Sequence, residues 1–170
     1  MAISGDVLRL HLDYNRWASA RLLNAAAALT DADLQRDFGT ADKSVTGTLT
    51  HIYGGDRVWL ARVRGDASLT LPGAVFDDLA VLGNAWEEVS EGWADWARHL
   101  SDTDFERVLA YRDLKGNPWQ TPLWQIVLHV VNHGTHHRGQ VSGFLRAMGH
   151  VPQPLDLIAY YRELGLAAAG

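Results

Sequence analysis

The 170-residue chain contains no cysteine. That excludes disulfides, thiolate metal sites and a cysteine nucleophile, and it fits a cytoplasmic protein. Positive charge is in deficit: 15 Lys and Arg stand against 20 Asp and Glu, a formal net charge of −5. No basic stripe is present, so a nucleic-acid partner is not expected. No apolar run approaches the length of a membrane span. The N-terminus, MAISGDVLRLHLD, lacks a charged region followed by an apolar one, so no signal peptide is read. Low-complexity segments and convincing internal repeats are also missing.

What remains is an ordinary globular composition, 47% hydrophobic and 21% charged. The length suits one domain with a proper core, residues 1–170, and is too short for two comfortable ones. The pattern is mostly helical. A first helix is expected from about Ser4, a possible cap, to Ala28, with Val7, Tyr14, Ala18, Leu22, Ala25 and Leu29 at helical spacing. TDADLQRDFGTADK reads as a connection. A second helix is expected from Ser44 to a stop at Gly65, then a loop at LTLPGAVF, then a third helix from Asp77 to Leu100. Trp86, Trp93 and Trp96 share a face of that third helix with Val89 and Leu100, which marks core rather than a cofactor box. Gly116-Asn117-Pro118 marks a turn, so a small hairpin is expected there. Thr121-Pro122 opens a fourth helix that runs to Met148 and stops at Gly149, and a short helix from Asp156 to Leu164 closes the chain. Four long helices with short connections predict an all-α four-helix bundle.

Half of the eight histidines fall within nine residues, in HVVNHGTHHRGQV, which starts at His129. With His129 at 0° and 100° per residue, the apolar face of the fourth helix centres near ~110°. His137 lies near ~80° and His133 near ~40°, within and at the border of that face, while His129 and His136 lie at or beyond its edge. Imidazoles at i, i+4 point the same way and can share a metal ion. Both 129/133 and 133/137 have that spacing, and burial favours 133/137. A third ligand must come from another helix. His51, on the flank of the second helix's apolar face, and His11, in the first helix's apolar stripe, both qualify, and spacing does not separate them. His99 and His150 sit near helix ends, where a cation suits the dipole. Gly54 and Gly55 can admit close packing or leave space beside a ligand, packing being the expectation. Asp56 falls among apolar positions as a buried carboxylate: a partner for an arginine, an orienting group, or a fourth metal ligand. Gln140, near ~20°, is placed to orient an imidazole. Asn132 and Arg138 point away from this face and read as surface or interface residues.

Three stretches carry a resemblance: YNRWA at 14–18, SVTGTLTHIYGGDRVWLARVRG at 44–65, and HVVNHGTHHRGQVSGFLRAMGHVP at 129–152. Together, in this order and at these separations, they resemble the DinB/YfiT-like metalloenzyme family over nearly the whole chain. The resemblance implies a four-helix bundle, commonly a homodimer, with one divalent metal held by three histidines, here His51, His133 and His137. It thereby favours His51 over His11. The family name refers to induction by DNA damage and implies no binding of DNA. Three neutral imidazoles leave an open position on the ion, which suits function better than a closed structural site. Zinc or nickel is the expected metal, with manganese or iron as alternatives. Relatives in the superfamily include transferases and isomerases that activate a low-molecular-weight thiol on the metal. A chain without cysteine would need that thiol as an external cofactor. Metal-bound water, giving a hydrolase, is the alternative chemistry, and a non-catalytic metal-binding stress or interaction protein is the third reading.

Overall fold

A computed structural model describes residues 3–66 and 70–166. It contains helices α1 (Gly5–Ala26), α2 (Asp31–Leu34), α3 (Val45–Val63) and α4 (Leu79–Arg98), then a 3-10 turn (Asp104–Glu106). Strands β1 (Val108–Arg112) and β2 (Pro118–Pro122) follow, then α5 (Leu123–Ala147) and α6 (Leu157–Glu163). The long helices α1, α3, α4 and α5 form the bundle: α5 packs on α1 and α3, and α4 packs on the same two from the other side. The all-α bundle, the expected hairpin and the short last helix are all present.

Helix starts show where local signals held. Ser44 Oγ accepts the backbone N–H of Gly47 at 3.1 Å, and Asp78 Oδ1 accepts those of Ala80 and Val81. Ser4, by contrast, makes no side-chain cap. The first N–H of α1, from Gly5, is taken instead by Asp102 Oδ1 at 2.7 Å, 97 residues away. The polar stretch expected as pure connection holds the one-turn helix α2, capped by Thr30. Of the loop expected at 69–76, residues 70–76 are described. Thr121-Pro122 does not begin α5 as expected. Both belong to β2, where Thr121 pairs with Leu109 and Pro122 with Val108. The strand runs directly into the helix, and Pro122, which has no N–H to lose, sits at the junction.

The core contains Leu8, Leu12, Leu49, Ile52, Trp86 and Trp93, with Val127 and Leu145 from α5. Trp86 and Trp93 are buried as expected, and Trp96 is packed partly buried against them. Val7, expected on the apolar stripe of α1, is exposed. The true inward face of α1 passes through Asn15 and Ser19, both buried, and a hydrophobic pattern skips such positions.

Candidate metal centre

His133 and His137 lie one turn apart on α5 and face His51 on α3. The Nε2 atoms of His51 and His133 are 2.9 Å apart, a contact that imidazoles make across a shared proton or around a shared ion. One ring nitrogen from each of His51, His133 and His137 falls within 4.8 Å of the others, so the three can hold a metal ion. All three are half-buried, while His129 and His136 are exposed at the rim, against His133 and His137 respectively. Burial, reinforced by the neighbouring imidazoles, pushes His133 down to about 3. The same desolvation lowers His137, opposed by its contact with Gln140. His133 is therefore a neutral lone-pair donor throughout the physiological range, which is the form a metal requires.

The outer partners fix ring direction. His137 Nδ1 meets Gln140 Oε1 at 2.8 Å, as expected from Gln140's place one turn along. His51 Nδ1 faces Asp42 Oδ1 at 3.5 Å. Asp42 went unrecognised in the sequence, because it lies in the connection before α3 and only the chain's return brings it to His51. Its local geometry is specific: Lys43 has φ 62°, in the left-handed region, and Gly47 has no side chain where a Cβ would sit 2.0 Å from the Asp42 carbonyl. Gly55 is equally specific. A Cβ there would lie 2.9 Å from His133 Cε1. The paired glycines thus divide the two roles: Gly54 admits packing by Pro72, and Gly55 admits the His133 ring.

Gly55→Ala should therefore turn the His133 ring and weaken metal binding by about 10–100-fold, the size of effect seen when a ligand loses its orienting partner. Helicity should not fall, since alanine favours the helix over glycine by about 1 kcal/mol. Competition against a chromophoric chelator, with circular dichroism alongside, checks both halves. Unchanged affinity would mean that the ring has room to spare.

Asp56 is not part of the histidine cluster. Its Oδ2 accepts Trp86 Nε1 at 2.9 Å and Asn15 Nδ2 at 3.1 Å, on the α1 and α4 side, while its Oδ1 is buried without a hydrogen-bond partner. Trp93 Nε1 donates to the Asp56 carbonyl at 3.1 Å. Nor is Arg138 a surface residue. It is 1% exposed, and its Nη1 donates to Asn15 Oδ1 at 2.6 Å and Ser19 Oγ at 3.1 Å. Gly134 makes this possible, because a Cβ there would lie 2.6 Å from both Arg138 Nη1 and Asn15 Oδ1. Asn15 thus bridges a buried carboxylate and a buried guanidinium. Desolvation raises Asp56 to about 6 despite its donors and Arg138. His11, the rival third ligand, turns its Nδ1 to the Val7 carbonyl at 2.8 Å and lines a different cavity, about 650 Å³, on the far side of α5.

The comparisons agree with this architecture. The family model described as DinB family matches residues 3–164. The chain belongs to the DinB family. It is 24% identical over 162 residues to "Protein DinB" of Bacillus subtilis (strain 168), covering 87% of this chain and 90% of that one. It is similar in fold to the crystal structure of a DinB-like protein from Bacillus cereus ATCC 10987, with a TM-score of 0.72 and 18% identity. That match covers 91% of this chain and 99% of the other. Each of the three family-like stretches supplies one member of the buried polar bridge: Asn15, Asp56 and Arg138.

Proposed function

We propose that this DinB-family protein is a metal-dependent enzyme of the cytoplasm that holds one divalent ion, zinc or nickel, through His51, His133 and His137. We further propose that it uses the ion to activate a small external thiol for group transfer. The observation that supports this reading is the donor set: among the described residues the cluster consists of three histidines alone, with Asp56 outside it. Three neutral donors leave the ion's charge intact and a coordination position free. An ion held there would supply Lewis acidity, lowering the pKa of a thiol or a water. The chain's own contribution is orientation, through Gln140 on His137 and Asp42 beside His51.

Cobalt(II) substitution tests the reading. Millimolar thiol or azide should shift the visible bands of the cobalt protein, and thiol should add sulfur-to-metal charge transfer. Bands unmoved by either would make the ion a structural staple and remove the enzyme reading. Elemental analysis of protein made without a histidine tag identifies the metal. No described helix is long and apolar enough to cross a membrane. We also propose a homodimer; light scattering at micromolar concentration should return twice the chain mass of 18.8 kDa, and a single chain mass would refute it.

A further inference from the structure

A cavity of about 260 Å³ lies beside His51, between α3 and the loop that precedes α4. Its polar end is Asp42, Thr50 and His51, and its far wall is Leu71, Pro72 and Val75. The loop is pinned over the helix at both ends. At one end, Pro72 sits where a side chain on Gly54 would collide with its Cδ at 2.7 Å, and Arg57 Nη2 donates to the Thr70 carbonyl at 3.0 Å. At the other, the Phe76 N–H donates to Thr50 Oγ1 at 3.2 Å, and the Phe76 ring stands edge-on to Tyr53 with centroids 5.3 Å apart. Between these anchors Gly73, Ala74 and Val75 also line the cavity. At the polar end, the approach of Asp42 depends on the absence of a side chain at Gly47.

We infer that this cavity receives the compact apolar body of the small molecule whose donor atom reaches the metal, so that the loop at 71–75 determines which ligands the site accepts. The inference rests on the metal-site reading above and adds to it the chemical class of the ligand. The volume matches about nine waters of liquid, room for a phenyl ring or a short branched chain and too little for a large cofactor. The loop wall is aliphatic, so its contribution is desolvation of carbon rather than hydrogen bonding. The Asp42 carboxylate at the polar end disfavours an anionic body, which confines any negative charge on the ligand to its metal-binding head.

Two measurements test this, with benzyl mercaptan as the bulky probe and azide as the probe that lacks a body. In metal-free protein, benzyl mercaptan should move the methyl NMR resonances of Leu71 and Val75. In cobalt(II) protein, Ala74→Trp, which fills the cavity from the loop, should lower the ratio of benzyl mercaptan affinity to azide affinity by about tenfold or more. Trp119→Ala, on the hairpin, should leave that ratio in place. Still Leu71 and Val75 methyls, or an unchanged ratio in Ala74→Trp, would overturn the inference while a cobalt spectrum responsive to azide kept the metal reading. A ratio lowered by Trp119→Ala instead would place the body against the hairpin and also overturn it. A cobalt spectrum blind to azide would sink the metal reading, and the metal-free methyl titration would still decide the cavity.

Discussion

His133→Ala is expected to strip the protein of its divalent ion. The ring it removes is one of three mutually adjacent rings, its Nε2 2.9 Å from that of His51 and its centroid 4.6 Å from that of His137, and the two rings left behind cannot enclose an ion from three sides. Affinity should fall by more than the roughly 100-fold upper range for losing an outer partner. After dialysis, mass spectrometry should find close to one ion per chain in the parent and almost none in His133→Ala, His51→Ala or His137→Ala. His129→Ala and His136→Ala should keep it, because both are exposed at the rim. Full stoichiometry in His133→Ala would refute the assignment, and loss in His129→Ala would shift the site one turn toward the hairpin. Far-ultraviolet circular dichroism should be unchanged throughout.

The largest effect on stability is expected at the buried polar bridge. Arg138→Met leaves the Asp56 carboxylate buried without its cation, and Asn15 without the donor to its Oδ1. Breaking a buried charge pair from one side costs about 3–5 kcal/mol, whereas replacing both partners with apolar groups is often close to neutral. Asp56→Leu combined with Arg138→Met should therefore cost less than the sum of the two single changes, the remainder coming from the orphaned Trp86 and Asn15 donors. Urea titration of the four proteins gives the coupling, and a coupling near zero would show that Asn15 does not join the two charges energetically.

The same carboxylate makes stability depend on pH. Asp56 has its folded-state pKa raised, from 3.8 to about 6. The folded protein thus takes up this proton before the unfolded chain does. The contribution is fully present below about 3.8 and is lost as pH rises through about 6. The gap corresponds to about 3 kcal/mol. Asp56→Asn should flatten the slope of stability against pH between about 4 and 6, and a slope identical to the parent's would show that Asp56 is not its source.

By itself the sequence determined the helical architecture, the hairpin and the histidines. Helix and core follow from local periodicity: the placing of Trp86 and Trp93 in the core, and of His137 within and His133 at the border of an apolar arc, needs only 3.6 residues per turn. Ser44 and Gly65 mark helix ends through hydrogen bonds and backbone geometry confined to their own turns. The choice of His51 over His11 rested on the family resemblance; in the fold, α3 brings His51 to the histidines of α5, while His11 opens to the other side. What tertiary structure alone decided is every pairing between polar groups distant in the chain. Asp102 caps α1 from 97 residues away, Asp42 returns to His51, and Arg138 turns inward because Asn15, Ser19 and the empty space at Gly134 receive it. A hydrophobic pattern assigns charged and amide side chains to solvent. It reverses that assignment only when the partners that repay their desolvation are known, and those partners are brought together by folding.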